Sequence, residues 1–134
     1  MSVLIVDDQS EILTLLTERL SLDGIACTTA RSAPEALALH RDEHFAVILT
    51  DIKMPGMSGV QLLRKVKQIH PTTIVFVMTG FPTLTGLVEC LEAGAADYFL
   101  KPFPSLDLVS ASIENAIERH ERWRVELAAF RAMA

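Results

Sequence analysis

The sequence predicts a five-stranded, doubly wound α/β sheet. Two observations carry that prediction: short apolar runs alternate five times with stretches of helical period, and several of the runs are apolar at every position, as strands covered by helices on both faces must be. Strand and helix in strict alternation imply parallel strands joined by right-handed crossovers.

The runs are Val3-Leu4-Ile5-Val6, Ile25 to Thr29, Phe45 to Leu49, Thr73 to Met78 and Ala96 to Leu100. After the first, Ile12, Leu13, Leu16 and Leu20 share one helical face, Glu11, Thr14, Glu18 and Arg19 lie opposite, and Gly24 marks a stop. Ser32-Ala33-Pro34-Glu35 has the pattern of a capping box and opens a second helix. A third starts near Ser58, carries Val60, Leu63, Val66 and Lys67, and ends at His70-Pro71. Thr83 to Ala93 is a shorter fourth with Gly94 behind it, and a long fifth begins near Pro104.

Ligand sites of open α/β sheets gather beyond the carboxyl ends of the strands. Those ends read Asp7-Asp8, Thr50-Asp51, Thr79-Gly80 and Lys101-Pro102 after the first, third, fourth and fifth strands. Two like charges at 4 Å repel by about 4 kcal/mol at an effective dielectric of about 20, so adjacent carboxylates need full solvation or a partner cation. Asp7, Asp8 and Asp51 together make a hard-oxygen site suited to Mg²⁺, and Lys101 and Thr79 supply the cation and hydroxyl that hold phosphoryl oxygens. That set points to phosphoryl transfer onto an aspartate.

The 134 residues make one domain, long enough to bury a core without disulfides or structural metal. A net charge of −5 with few basic clusters argues against a nucleic-acid surface in this chain. Cys27 and Cys90 belong to no metal-binding array and read as buried small hydrophobes of a reduced protein. The first apolar run is too short for a signal or membrane segment, so a cytoplasmic location is expected.

The stretches VDD at 6–8, LTDIKMPGMSG at 49–59, VMTG at 77–80 and GAADYFLKPF at 94–103 carry a family likeness. Over residues 1–120 the chain resembles the receiver domain of bacterial two-component response regulators. The resemblance implies a flavodoxin-like strand order 2-1-3-4-5. It makes Asp51 the acceptor of a phosphoryl group from a sensor histidine kinase or phosphotransfer protein of a phosphorelay. Asp8 and Asp51 would ligate Mg²⁺ directly, Asp7 mostly through water, and Lys53 through its backbone carbonyl. Lys101 and Thr79 would bind the phosphoryl oxygens, Tyr98 would turn inward as Thr79 moves, and the Lys101-Pro102 peptide would be cis. The chain would be a signalling domain, not an enzyme beyond its own phosphorylation and dephosphorylation. Lys53 and Phe81, which flank the phosphoryl group in the family, are neither acid nor amide here, which implies a long-lived phospho-state.

Past residue 120 the helix continues through 121–134. Val109, Ile113, Ala116, His120, Trp123, Leu127, Phe130 and Ala134 are spaced alternately four and three apart, as in a heptad seam. The seam fits a homodimer through the fifth helix, a helix leading to an output domain, or both. Two other classes compete with the receiver. An aspartate-nucleophile, Mg²⁺-dependent phosphohydrolase would place a second acid two residues past the nucleophile, where Lys53 stands. An FMN binder would need a phosphate-cradling loop where Asp7-Asp8-Gln9 repels phosphate.

Overall fold

A computed structural model of the chain describes residues 2–133. Its elements alternate as expected: β1 (Ser2–Val6), α1 (Ser10–Leu22), β2 (Ala26–Ala30), α2 (Ala33–Glu43), β3 (Val47–Asp51), α3 (Gly59–Ile69), β4 (Ile74–Thr79), α4 (Leu84–Glu92), β5 (Asp97–Leu100) and α5 (Leu106–Met133). The five strands form one parallel sheet in the order β2-β1-β3-β4-β5.

Side chains alternate across a strand, so each central strand feeds two cores. Leu4, Val6, Ile48, Val75 and Val77 meet Ala36 and Leu37 of α2, Leu63 and Val66 of α3 and Cys90 of α4 on one face. Val3, Ile5, Val47, Leu49, Phe76 and Met78 meet Leu13, Leu16 and Leu20 of α1 and Val109, Ile113 and Ala116 of α5 on the other. The edge strands β2 and β5 bury fewer residues and carry Thr28, Thr29, Asp97 and Tyr98.

Strands β2 and β3 begin one and two residues later than the apolar runs indicate. The N–H groups of Ile25 and Phe45 are spent on preceding helices: Ile25 donates to the Leu20 carbonyl at 2.9 Å and Phe45 to Nδ1 of His40 at 3.0 Å. Both side chains are buried, so their apolar character reports packing and not ladder pairing. The capping box expected at Ser32 is only half formed. Ser32 Oγ accepts from Glu35 N, while the Glu35 carboxylate accepts from Arg31 N. The reciprocal pair stands at α3, where Ser58 Oγ accepts from Gln61 N at 3.2 Å and Gln61 Oε1 from Ser58 N at 2.9 Å.

Gly24 and Gly94 follow α1 and α4 at φ +79° and +105°, as helix stops. After α2 the same left-handed place is taken by His44, at φ 59°. A side chain in that region costs about 1–2 kcal/mol, so neighbouring contacts must hold it there. Along α5 the expected seam divides in two. Val109, Ile113 and Ala116 are buried against the domain's own sheet and His120 is buried beside the ends of α2 and α3, Trp123 is half-buried, and Leu127 and Phe130 are 46% and 73% exposed. The first part is therefore core and not a surface for a partner. Ala134 lies outside the described residues.

Candidate functional site

The register places the acids before any side chain is considered. Val6 pairs with Thr50 and Asp51 with Met78, so continuing β1 by one residue sets Asp7 beside Asp51 on the neighbouring strand. Both share the parity of Ile5 and Leu49 and leave the sheet on the same face. One carboxylate oxygen from each of Asp7, Asp8 and Asp51 lies within 4.8 Å of the others.

Lys101, at the end of β5, answers the charge problem of the adjacent acids. Its Nζ lies 2.8 Å from Asp7 Oδ2 and 3.5 Å from Asp51 Oδ2. Asp7 is wholly buried and is satisfied by two bonds, from Lys101 and from the backbone N–H of Gln9 at 2.9 Å to Oδ1. Asp8 is half-buried, and the Arg31 guanidinium donates to its backbone carbonyl at 3.3 Å. Asp51 is 6% exposed. Burial pushes its carboxyl up to about 6, the negative charge of Asp7 pushes the same way, and Lys101 opposes both.

Thr79 closes β4 and is buried. Its Oγ1 accepts from the N–H of Phe81 at 3.1 Å, which leaves the hydroxyl proton free to donate. The Lys101 N–H donates to the Thr79 carbonyl at 2.8 Å, tying the two strand ends together, and the Lys101–Pro102 peptide is cis. Asp8, Asp51, Lys53, Thr79, Phe81 and Lys101 line one cleft of about 480 Å³. At its mouth the Lys53 ammonium lies over the Phe81 ring, 5.3 Å from the centroid. Tyr98 stands apart on the edge strand, 38% exposed.

The loop after β3 is pinned at both ends. Ile52 N donates to Met78 O at 3.0 Å, and Gly59 N donates to Ile52 O at 2.7 Å. A Cβ at Gly59 would collide with the Asp51 carbonyl oxygen, so only glycine admits this approach. Gln9 is the residue that sequence reasoning missed. Its Oε1 lies 3.4 Å from Lys101 Nζ, and it occupies the N-cap of α1 with no side-chain cap bond. The signal was an amide directly after two acids at a strand end.

The family is decided by the match of residues 3–113 to the response regulator receiver domain model. The chain belongs to the response regulator receiver domains. Among curated relatives, the DNA-binding transcriptional regulator NtrC of Salmonella typhimurium is 40% identical over 119 residues, 89% of this chain and 25% of the relative. The regulatory protein AtoC of Escherichia coli is 34% identical over 87% of this chain and 25% of its own length. The receiver thus spans about a quarter of the length of these relatives. Among solved structures, a receiver domain protein from Clostridium thermocellum superposes with TM-score 0.83 at 35% identity, covering 91% of this chain and 98% of the other. The beryllofluoride-activated NtrC4 receiver domain dimer gives TM-score 0.83 at 31% identity over 89% and 98% of the two chains.

The raised Asp51 carboxyl has a consequence for stability in this receiver. The folded state holds that proton more tightly than the unfolded chain, so ionisation costs stability as pH rises from about 4 through 6, in full above that. With divalent cations chelated, Asp51→Asn is expected to stabilise the protein against urea at pH 7.5 by about 2–3 kcal/mol, with the gain vanishing below about pH 4. Equal urea midpoints for parent and variant at pH 7.5 would contradict it.

Proposed function

We propose that this receiver accepts a phosphoryl group on Asp51 from the phosphohistidine of a sensor histidine kinase or phosphotransfer protein, and that the modification switches a partner or output domain. The observation that carries the reading is the meeting of Asp51 with two further acids, the Lys101 ammonium and the Thr79 hydroxyl in one cleft.

The donor set suits Mg²⁺: carboxylate oxygens a few ångströms apart with no thiol or imidazole among them. Asp8 and Asp51 would hold the ion directly with the Lys53 carbonyl. Asp7, whose oxygens already serve Lys101 and Gln9, would act through water. The bound ion would neutralise phosphoryl charge.

An Asp51 oxygen attacks phosphorus, the bond from phosphorus to the donor's imidazole nitrogen breaks, and the imidazole leaves with the electron pair and takes up a proton. With its carboxyl near 6, Asp51 is mostly ionised at neutral pH and ready as a nucleophile. The Lys101 ammonium, already 3.5 Å from Asp51, pairs with the incoming oxygens, and Thr79 turns its free proton toward them. Moving Thr79 inward opens room for Tyr98, which carries the change to the surface of α4 and β5. Residues 1–120 would form this unit and 121–134 an extension of its last helix. No helix among the described residues is long and apolar enough to cross a membrane, and we place the protein's work in the cytoplasm.

Acetyl phosphate with Mg²⁺ is expected to add one phosphoryl group by intact mass, with labelling lost in Asp51→Asn. A normally labelled Asp51→Asn would remove the assignment. Steady turnover of small phosphate esters would favour the phosphohydrolase instead.

The side chains at the mouth bear on lifetime. Lys53 and Phe81 engage each other and present no group that orients water, so the acyl phosphate should decay slowly. The double variant Lys53→Asn, Phe81→Glu should hydrolyse it about tenfold faster or more, consistent with general-base assistance. Equal decay rates would exclude this role.

The outer part of α5 supports self-association. Val125, Leu127, Phe130 and Met133 are 54%, 46%, 73% and 84% exposed, and burying such side chains yields roughly 1.5–3 kcal/mol each. The solved NtrC4 receiver is a dimer. Sedimentation at tens of micromolar (on the order of a typical weak-dimer Kd) should show a dimer that Leu127→Asp shifts toward monomer; a monomeric parent, with or without beryllofluoride, would refute the interface.

A further inference from the structure

All four histidines of the chain, His40, His44, His70 and His120, gather at the edge of the sheet opposite the acid cluster, where β3 and β4 begin. His40 is fully buried, and its Nδ1 accepts the Phe45 N–H at 3.0 Å. Its Nε2 lies 2.8 Å from His70 Nδ1. A ring nitrogen that accepts a backbone N–H carries no proton, so neutral His40 holds its proton on Nε2 and donates it to His70, whose own proton then sits on Nε2. The relay runs one way and only between neutral rings. A proton added at His40 Nδ1 or His70 Nδ1 would set two N–H groups against each other.

His44 extends the relay toward α5. Its ring stacks on His70 with centroids 3.6 Å apart and planes 14° from parallel, a contact that holds this residue in its left-handed conformation. With Thr72, His120, Trp123, Arg124 and Leu127 it lines a groove of about 430 Å³ along α5. His120 is the last buried residue of the helix among those described, and its Nδ1 has no hydrogen-bond partner.

We propose that these four histidines form a pH-operated latch, which when neutral holds the base of the α5 extension against the C-terminal ends of α2 and α3 and when protonated releases it.

The charges facing the cluster leave a new cation uncompensated. His40 faces His44 and His70 across the relay, with the Phe45 ring stacked 6.2 Å away. From α3, Lys67 turns its ammonium to the carbonyls of Thr73 at 2.6 Å and Pro71 at 3.3 Å, beside His70. Glu121 of α5, the carboxylate next to His120, is already paired with Arg124, and Arg131 adds positive charge along the groove. The residues that end α2, Arg41, Asp42 and Glu43, are exposed.

Burial, reinforced by the neighbouring histidines, holds His40 down to about 4 and lowers His70 and His120 as well. Freed of the burial that lowers them, His40, His70 and His120 titrate near their ordinary value of about 6.5. The latched state binds fewer protons, so it is fully favoured above about 6.5 and loses ground as pH falls from there toward 4. Each histidine that takes up a proton on release raises the released population between pH 7.5 and 5.5, by at most about tenfold.

The test is hydrogen exchange of the full chain, corrected for the intrinsic pH dependence of exchange, with acrylamide quenching of Trp123, the single tryptophan, as a second reading. The protection of amides 118–130 should fall at least about tenfold from pH 7.5 to 5.5, with Trp123 becoming more accessible, while β3 and β4 stay protected. His70→Asn, which keeps an acceptor for His40 but cannot take a proton, should diminish the response, and His44→Gln on the exposed ring should do the same. The latch is overturned by pH-independent protection of 118–130, by loss of β3 and β4 in step with the tail, or by an undiminished response in both variants.

Discussion

The upper edge of this sheet depends on one ammonium group. Three carboxylates converge there because parallel register leaves them no other place, and Lys101 is the cation close enough to offset them. The bond to fully buried Asp7 matters most, since a buried charge that loses its partner costs several kcal/mol, on the order of 3–5. That pairing also divides the labour among the acids. Each oxygen of Asp7 already serves Lys101 or Gln9, while the carboxylate oxygens of Asp8 and Asp51 are more open to a ligand. The site is thus built with its charge only partly compensated, and burial, with the charge of Asp7 behind it, holds the Asp51 carboxyl up.

Much of this was legible in the sequence because sheet topology turns a linear pattern into a place. Apolar runs at Val3, Phe45, Thr73 and Ala96 mark the strands, and the residues after them fall at one edge whatever the details of packing. Strand starts were less legible, since Ile25 and Phe45 are apolar for burial while their amides close helices. The seam of α5 misled in a similar way: four-three spacing shows that a stripe is buried, but not whether sheet or partner buries it. Val109, Ile113 and Ala116 turn out to face the sheet.

The histidines were illegible for a different reason. His40 and His44 stand four residues apart, but His70 and His120 lie far along the chain, and the four meet only because two helix ends and the middle of a third share one corner. Gln9 was hidden because the sequence does not show which way a flexible amide beside two acids turns; its oxygen faces Lys101 and caps no helix N–H.

The close approach at Gly59 sets the mechanical character of the two sides of the cleft. On the β3 side the Asp51 carbonyl has a glycine pressed against it, and the loop is tied to Met78 at one end and closed on itself at the other. A backbone so confined behaves as an anvil: close-packed surroundings transmit displacement and do not absorb it. The opposite wall, Thr79 to Phe81, has an exposed Gly80 with no heavy atom nearer than 3.9 Å to a built Cβ, and Phe81 is 78% exposed. On the proposed reading, charge added at Asp51 would meet a rigid back and a yielding front, and compliance would direct the movement toward β4, β5 and the helix between them.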